Sequence, residues 1–220
     1  MIDQRLFQPF LHLLEEENAK QNLIRYQTRE ELIKKHLEDS LLPFTTEIIH
    51  PLTGSVLDIG SGGGFPAIPL AIAFPNASFT LIESEGRKAA FLKKVALTLN
   101  LSNVSIVNQR VEDYTKVNRE CYDFCTMRAV AATRISLEYA APALKVSGEL
   151  FLYKGPLFDQ ELIESKKAIH LLGFVFEKTI RYTYSYNNEW FTPIIACFKK
   201  VAETPPNFPR RPGMPKKYPL

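Results

Sequence analysis

Short apolar runs alternate with amphipathic segments along most of the chain. Between residues 55 and 198 the runs are rich in Val, Ile, Leu and Phe, as in buried strands, and the intervening segments carry apolar residues every three to four positions, as in helices. The predicted strands are Val56–Gly60, Ser78–Glu83, Val104–Val107, Asp123–Met127, Glu149–Tyr153, Phe174–Tyr182 and Trp190–Phe198. The predicted helices between them cover residues 66–73, 86–99, 133–144 and 159–172. This alternation predicts an α/β fold, with helices on both faces of a parallel sheet and a hairpin at its end.

The first 50 residues follow a helical period. Their apolar faces are formed by Leu6, Phe10, Leu13 and Leu14, and then by Leu32, Ile33, Leu37 and Leu41. Thr28 and Glu31 have the spacing of a capping box, which predicts the start of the second helix. We therefore predict a helical extension over residues 1–50, an α/β domain over 51–200, and a basic, Pro-rich tail over 201–220 that is extended and loosely attached.

Composition restricts the class of protein. A chain of 220 residues with 45% hydrophobic and 23% charged residues suits one ordinary domain with an extension, and not a disordered polymer. It has no apolar run near the roughly 20 residues that span a bilayer, and it begins without a signal-peptide pattern, so we expect a cytoplasmic protein. Cys121, Cys125 and Cys197 and four scattered histidines indicate neither a disulfide framework nor a metal site. A monomer is expected, because no coiled coil or repeat suggests assembly.

The net charge of +3 is unevenly spread along the chain. Residues 1–57 carry six Lys/Arg and nine Asp/Glu, whereas residues 199–220 carry six Lys/Arg and a single acidic residue. A basic tail on a nearly neutral body suits a polyanionic partner such as nucleic acid. It equally suits a solvated terminus that charge keeps soluble, and composition alone leaves the two interpretations open.

A glycine-rich loop, Asp58-Ile-Gly-Ser-Gly-Gly-Gly64, directly follows the first predicted strand. Glycines let the backbone turn tightly and let a ligand approach main-chain atoms. A structural turn is the default explanation of such a loop, but two features favour a ligand site. The loop lies between a strand and a helix, and Glu83 ends the second strand 19 residues after Gly64, where an acidic side chain can accept hydrogen bonds from ribose hydroxyls.

The spacing of the glycines distinguishes two nucleotide cofactors. A nicotinamide-binding fingerprint that starts at Gly60 would need glycine in place of Phe65, and one that starts at Gly62 would need it in place of Ala67. The loop instead has an acidic residue, Asp58, followed by G-x-G-x-G. This resembles the S-adenosylmethionine-binding loop of Rossmann-like methyltransferases. A methyltransferase is therefore the first interpretation, and a nicotinamide oxidoreductase is the alternative.

Further motifs indicate which family of methyltransferases the chain resembles. In chain order they are His36-Leu-Glu-Asp-Ser40, Gly62-Gly-Gly-Phe-Pro-Ala-Ile-Pro69, Arg110-Val-Glu-Asp113, Arg128-Ala129, Lys154-Gly155 and Pro209-Arg-Arg-Pro-Gly-Met-Pro215. With these motifs in this order over residues 10–217, the chain resembles the small-subunit ribosomal RNA methyltransferase G family, also called glucose-inhibited division protein B. It departs from the usual pattern of that family at Glu17 and Ile24, in the N-terminal helices.

The resemblance implies a class I, Rossmann-like fold with a seven-stranded, mostly parallel sheet and an N-terminal helical extension. It implies methyl transfer from S-adenosylmethionine to N7 of one guanine in 16S rRNA, in the loop near the decoding site. The implied partner is the small ribosomal subunit or its assembly intermediate. Guanine N7 has an in-plane lone pair and no hydrogen, so its attack on the methyl group requires no general base. Accordingly, the fourth strand ends in Met127-Arg-Ala-Val130, and not in the Asp/Asn-Pro-Pro-aromatic segment of adenine-N6 enzymes.

Three residues are candidates for the reaction centre. Arg128 is expected to hold the target guanine, a phosphate or the carboxylate of the cofactor, and the alternative is an ion pair with a structural carboxylate. An arginine bound to both O6 and N7 would block the nucleophilic lone pair, so a guanine contact is restricted to O6. His36 and Asp39 are three residues apart on one helical face. A structural hydrogen bond is their plain interpretation, and the resemblance adds closure over the cofactor or contact with RNA.

The remaining candidates would hold the cofactor and the RNA. Cofactor contacts are expected from Asp58, Gly60, Gly62, Gly64, Phe65, Glu83, Val111, Glu112 and Arg128. For the two acidic residues of the loop region the alternative is a helix or turn cap, and Val111 and Glu112 are expected to flank the adenine. Phosphate contacts are expected from Lys154, Arg210, Arg211, Lys216 and Lys217. A non-catalytic RNA-binding protein on a degenerate methyltransferase fold is the rival from another class, and the retained loop residues argue against it.

Overall fold

The protein is an α/β sandwich around one large twisted sheet in a computed structural model that describes residues 3–45 and 49–220. The strands are β1 (Ser55–Ile59), β2 (Ser78–Ile82), β3 (Val104–Val107), β4 (Tyr122–Arg128), β5 (Leu144–Lys154), β6 (Phe174–Arg181), β7 (Tyr184–Tyr186), β8 (Glu189–Phe191) and β9 (Ile194–Lys200). The helices are α1 (Gln8–Gln21), α2 (Arg29–Leu32), α3 (Asp39–Thr45), α4 (Ala67–Ala73), α5 (Gly86–Thr98), α6 (Val111–Val117), α7 (Thr133–Ala140), α8 (Phe158–Glu164), α9 (Lys166–Leu171) and α10 (Met214–Lys217). A 3₁₀ turn, Gln4–Phe7, precedes α1, and a π-helical segment, Ile33–Glu38, joins α2 to α3.

The sheet has seven strands in the order β3-β2-β1-β4-β5-β9-β6. All neighbours are parallel except β9, which pairs antiparallel with both β5 and β6. The predicted seven-stranded, mostly parallel sheet is thereby confirmed. Because the chain moves outward from β1 to β2 and β3 on one side and to β4 and β5 on the other, the connections diverge at the carboxyl end of β1. Open α/β sheets bind their ligands at such a switch point.

Two hydrophobic cores lie on opposite faces of the sheet. Adjacent residues of β1 point into different cores, Val56 into one and Leu57 into the other, as the two-residue period of a strand requires. The first core contains the extension together with α4 and α5, and its fully buried side chains include Phe10 and Leu41. The second core contains α7, α9 and part of the tail. The extension therefore covers one face of the sheet, although Leu6 of its predicted apolar face is 62% exposed.

Some element boundaries differ from the prediction. The expected strand Trp190–Phe198 is divided between β8 and β9, because β7 and β8 form a separate hairpin whose turn places Asn187 and Asn188 in the left-handed region. The expected helix over residues 159–172 is broken into α8 and α9 at Ser165. Helix α6 was not predicted from the sequence. The expected division into residues 1–50, 51–200 and 201–220 remains a prediction, and residues 1, 2 and 46–48 of the expected extension lie outside the described ones.

The expectation of a loosely attached tail is wrong. Arg119 donates hydrogen bonds to the carbonyl oxygens of Thr204 and Phe208 at 2.9 and 2.6 Å, and the Phe208 ring is buried. The Arg210 guanidinium then pairs with Glu138 of α7, 1% exposed, at 2.5 Å between Nη2 and Oε2. Buried carboxylates require partners, and the tail supplies one here, so it is part of the folded body.

No helix in the described part of the chain is long and apolar enough to cross a membrane. Among the same residues, no group of three or more His, Cys, Asp or Glu side chains could hold a metal ion.

Candidate active site

The glycine-rich loop follows β1 at the switch point of the sheet. Gly60, Gly62 and Gly64 all have positive φ, at +73°, +52° and +94°. A Cβ on Gly60 would lie 2.8 Å from Cγ2 of Val130, and one on Gly64 would lie 2.9 Å from Cγ1 of Ile68, so close packing also requires these two glycines. A Cβ on Gly62 would meet nothing nearer than a backbone oxygen at 3.8 Å. The surface above Gly62 is therefore open to a ligand.

The extension holds this loop from the other side. A Cβ on Gly63 would lie 2.5 Å from Cγ2 of Ile24, so the chain between α1 and α2 packs directly on the loop backbone. The Phe65 ring lies against Phe10 of α1 and against His36 of the π-helical segment, with centroid distances of 5.3 and 5.5 Å. Phe65 is 7% exposed, and its predicted contact with the cofactor remains a prediction.

Glu83 connects the end of β2 to the loop. Its carboxylate accepts hydrogen bonds from the backbone N–H groups of Gly62 at 2.9 Å and of Glu85 at 2.8 Å. The residue thus performs the capping role that was the alternative interpretation. Each carboxylate oxygen has a second lone pair, so the same group remains available to ribose hydroxyls.

Asp58 is an almost fully buried carboxylate beneath the loop. Its Oδ1 accepts a hydrogen bond from the Thr126 hydroxyl at 2.7 Å, and its Oδ2 has no hydrogen-bond partner among the described residues. Burial raises the pKa of Asp58 to about 6. A buried acceptor without a partner is costly, and a positively charged ligand beside it would stabilise the ionised form. The sulfonium and ammonium groups of S-adenosylmethionine satisfy this requirement, so the loop and Asp58 fit the expected cofactor.

A narrow cleft of about 110 Å³ lies between the carboxyl ends of β1, β2 and β3. Its lining consists of Ile59, Gly60, Ile82, Ser84, Gln109, Arg110, Val111, Val130, Tyr139 and Lys216. Val111 therefore lines this cleft, and its contact with the adenine remains a prediction. Glu112 lies instead against the tail, where its Oε1 accepts from the backbone N–H of Gly213 at 3.0 Å. This placement argues against the predicted contact of Glu112 with the adenine amino group, which remains a prediction.

A larger cavity of about 720 Å³ opens beside the cleft, between the carboxyl ends of β4 and β5 and the extension. Its lining includes His36, Asp39, Arg128 and Lys154, which were singled out from widely separated motifs. Val130 lines both the cavity and the cleft, so the two spaces adjoin at the end of β4. A cavity of this volume is in the range of small-molecule sites.

Arg128 closes the extension against the sheet. Its Nη2 lies 3.0 Å from Oδ2 of Asp39 and donates to the carbonyl oxygen of Lys35 at 2.6 Å, while Nη1 donates to that of His36 at 3.4 Å. The alternative interpretation, an ion pair with a structural carboxylate, therefore describes what this arginine does in the fold. The next residue, Ala129, has φ +56°, a conformation unfavourable for a side chain and concentrated at functional sites.

Asp39 and His36 have separate partners. The Tyr182 hydroxyl donates to Oδ1 of Asp39 at 2.7 Å and approaches the carbonyl oxygen of the same residue at 3.0 Å. Burial raises the pKa of Asp39, and Arg128 and Tyr182 partly oppose that rise. Burial, reinforced by Arg128, lowers the pKa of His36 to about 4. His36 is therefore neutral at physiological pH, with Nε2 3.2 Å from the carbonyl oxygen of Arg25.

The five predicted phosphate contacts divide into two groups. Lys154 and Arg210 are already paired, since the Lys154 ammonium lies 2.8 Å from Oε2 of Glu161 with its side chain 8% exposed, and Arg210 pairs with Glu138. Arg211, Lys216 and Lys217 are exposed on the tail. The geometry therefore favours a structural role for the first two and leaves the other three free to meet RNA or another ligand.

Sequence reasoning missed the tyrosine and glutamate partners of the site. Tyr182 and Tyr153 donate to Asp39 and to the carbonyl oxygen of Ser40, and Glu138 anchors the tail. They belong to no motif, and their partners are distant in the chain, so the sequence alone carries no signal for them.

Fold and site together define a class I, Rossmann-like methyltransferase. TYW2 of M. jannaschii, solved in complex with AdoMet, is similar with a TM-score of 0.58 and 17% identity over 80% of each chain. Precorrin-6y C5,15-methyltransferase of Geobacter metallireducens is similar with a TM-score of 0.56 and 16% identity, over 80% of this chain and 94% of that one. At these identities the likeness concerns the fold alone.

The particular family follows from closer relatives. The model of the family described as rRNA small subunit methyltransferase G matches residues 3–184. The chain is 38% identical to ribosomal RNA small subunit methyltransferase G of Carboxydothermus hydrogenoformans, over 98% of this chain and 91% of that protein. It is 36% identical to the protein of that name from Thermotoga neapolitana, over 99% and 93%. The chain belongs to this family, which confirms the expected enzyme class and its methyl donor, S-adenosylmethionine.

Proposed function

We propose that the protein transfers a methyl group from S-adenosylmethionine to N7 of a guanine in 16S rRNA, in the loop near the decoding site. The observation that carries the proposal is the meeting of two spaces at Val130, a cleft of about 110 Å³ that includes Gly60 of the glycine loop and a cavity of about 720 Å³ at the end of β4. The cleft offers part of a site for the cofactor, and the cavity admits a purine base. Family membership supplies the class of RNA, and the nucleophile is the one that the motifs imply.

The chemistry places few demands on acid–base groups. S-adenosylmethionine supplies the methyl group on a sulfonium, and N7 attacks it with a lone pair that carries no proton. The protein acts by holding the two partners in line, which is worth roughly 7–11 kcal/mol of the barrier. A neutral His36 suits this reaction, because the guanine gains positive charge as the methyl group arrives and an uncompensated cation beside it would oppose the transfer. The charge of Arg128 differs in this respect, since it is compensated by Asp39.

The residues divide between the two partners. Asp58, Glu83 and the loop glycines hold the cofactor, with the Asp58 carboxylate stabilising its positive charge. Two nitrogens of Arg128 bind the extension, which forms one wall of the cavity for the base. The remaining N–H groups of Arg128 are directed to O6 or to a phosphate. A single contact with O6 leaves N7 free for the reaction.

Arg211 and Lys217 are our candidates for contact with the RNA backbone, because both are exposed on the tail. Contacts of this kind make affinity fall with rising salt. We propose further that the enzyme acts as a monomer in the cytoplasm, on the small subunit or on an assembly intermediate.

Transfer of labelled methyl groups tests the proposal. Purified protein and labelled S-adenosylmethionine are incubated with 16S rRNA, and separately with small subunits, both from cells that lack the modification. We expect label at one guanine of 16S rRNA, and none in a transcript that carries 7-deazaguanine in place of guanine, since that base lacks N7. Arg128→Lys should lose most of the activity, while circular dichroism and a cooperative unfolding transition should show that the variant is still folded.

Two results would contradict the proposal. Label in the 7-deazaguanine transcript would exclude N7 as the nucleophile. Tight binding of the RNA with no transfer to either substrate would favour the rival interpretation, a non-catalytic RNA-binding protein. Calorimetry with NAD in place of S-adenosylmethionine tests the oxidoreductase alternative separately, and we expect no binding of NAD.

A further inference from the structure

The C-terminal tail reaches the cleft between the carboxyl ends of β1, β2 and β3. Lys216 of α10 lines this cleft together with Ser84, Gln109 and Arg110, although it lies more than 100 residues beyond them in the chain. From the sequence this lysine was expected to contact RNA. Its position in the fold is instead beside the space assigned to the adenosine half of the cofactor.

Two buried carboxylates hold the tail in place. Glu138 of α7 accepts hydrogen bonds from Nε of Arg210 at 2.8 Å and from its backbone N–H at 3.2 Å, besides the ion pair. Glu112 of α6 accepts from the backbone N–H of Gly213 at 3.0 Å. Both glutamates are 1% exposed. Buried carboxylates without partners are strongly unfavourable. Because the tail supplies donors to both glutamates, its contacts stabilise the folded α/β domain as well as fixing the tail itself.

The same contacts determine where Lys216 lies. Gly213, with φ +82°, turns the chain into α10, and Pro215 of that short helix is buried. On the far side, Nη1 of Arg210 donates to the carbonyl oxygen of Tyr218 at 2.8 Å, which closes the tail into a loop around α10. The backbone on both sides of Lys216 is thus anchored, and only its flexible side chain is free to adjust to a ligand.

The geometry points to Lys216 as a ligand of the adenosine half of S-adenosylmethionine, with the tail as the outer wall of the cofactor cleft. This inference rests on the proposed function. An ammonium group offers three donors, and the adenosine half offers ring nitrogens and ribose oxygens as acceptors. The neighbouring Lys217 differs, since its ammonium lies 5.2 Å from the centroid of the Tyr218 ring and is absent from the lining of the cleft. The tail thereby links cofactor binding to the segment that carries Arg211 and Lys217, our candidates for RNA contact.

Calorimetry of the full-length protein with S-adenosylmethionine tests the inference through two matched pairs of variants. Lys216→Ala should weaken affinity about tenfold, the effect of losing one hydrogen bond from a charged donor, whereas Lys217→Ala should leave it within about twofold. Arg210→Gln should also weaken it, because the anchor on Glu138 is lost, whereas Arg211→Gln should not. Lys216→Arg, which keeps a charged donor, should restore part of the affinity.

A second probe locates the contact. Methylthioadenosine lacks the amino-acid half of the cofactor, so Lys216→Ala should weaken its binding by the same factor. A loss seen with S-adenosylmethionine but not with methylthioadenosine would overturn the assignment to the adenosine half. Unfolding temperatures of the two lysine variants should agree, which separates a lost ligand contact from a damaged fold.

Binding of S-adenosylmethionine to the wild type and to Lys216→Ala distinguishes a wrong role for Lys216 from a wrong proposed function. If the wild type binds S-adenosylmethionine and Lys216→Ala binds it equally well or more tightly, the inference is wrong and the proposed function stands. If the wild type does not bind S-adenosylmethionine at all, the proposed function is wrong, and this inference fails with it.

Discussion

The ion pair between Arg128 and Asp39 offers the sharpest test of how the extension is held. Arg128→Ala would leave the Asp39 carboxylate, 5% exposed, with Tyr182 as its donor, and would remove the guanidinium from two carbonyl oxygens of the π-helical segment. Removing one partner of a buried pair costs about 3–5 kcal/mol. The Arg128 side chain is 19% exposed, so water can replace part of the interaction and the lower end of that range is expected. For a chain of this size, a loss of about 3 kcal/mol lowers the unfolding temperature by about 6–12 °C.

The dependence of this loss on pH follows from the pKa of Asp39. Burial raises that pKa in the wild type, and Arg128 opposes the rise, so the variant has a still higher pKa. A carboxyl whose folded pKa exceeds its unfolded value stabilises the fold below the unfolded pKa, and this stabilisation is lost as pH rises through the folded pKa. The deficit of the variant should therefore be largest at neutral pH and should shrink as the pH falls through the raised pKa of Asp39. Thermal unfolding of both proteins, followed by circular dichroism over a series of pH values from neutral to acidic, measures it.

A second substitution identifies the cause of the loss. Asp39→Asn removes the buried charge, so at neutral pH the double variant should be more stable than Arg128→Ala alone, with a coupling energy of at least about 1 kcal/mol between the sites. A cost below about 1 kcal/mol for Arg128→Ala, or a double variant whose losses simply add, would refute the view that this ion pair holds the extension.

Three further predictions concern the cofactor loop and the reaction centre. Affinity for S-adenosylmethionine should fall as pH drops through about 6, where Asp58 takes up a proton, and Asp58→Asn should remove this dependence; a flat wild-type profile in calorimetry would contradict the role of Asp58. Gly62→Ala should cost about 1–2 kcal/mol of stability through its positive φ and lower affinity for the cofactor much more strongly; a stability loss with unchanged affinity would show that nothing binds above Gly62. Tyr182→Phe removes a donor to Asp39 and should raise the pKa of that carboxyl, which NMR titration of the Asp39 side chain measures; an unchanged pKa would show that this hydrogen bond does not stabilise the Asp39 charge.

The fold was predictable because buried parallel strands have a strong local signature. The first strand was expected at Val56–Gly60 and lies at Ser55–Ile59, since apolar side chains on both faces leave little choice of position. Helix α6 escaped prediction because Val111–Val117 is short and mostly polar, without a continuous apolar face. The position of β9 between β5 and β6 is set by pairing across the sheet, which local patterns do not carry.

The site was predictable only where its parts are close in the chain. The acidic residue, the glycines and Glu83 lie within 26 residues and have a known spacing, so they could be named together. Arg128 and Asp39 were named separately, but their pairing could not be, because it depends on how the extension packs on β4. The tail shows the converse error. The Pro-rich composition indicated a loosely attached segment, whereas Arg210 pairs with a glutamate 72 residues earlier in the chain.

The hydrogen bond from Tyr182 to Asp39 joins residues 143 positions apart, and this separation has a consequence for biosynthesis. The extension is synthesised first, and its apolar side chains share a core with Val56, Phe79 and Phe124, which follow it along the chain. Tyr182 is made later than all of these residues. At a translation rate of about 5–20 residues per second, about 7–30 s pass between synthesis of Asp39 and that of Tyr182. The contacts that fix the buried Asp39 carboxylate therefore cannot be complete before β6 has been made.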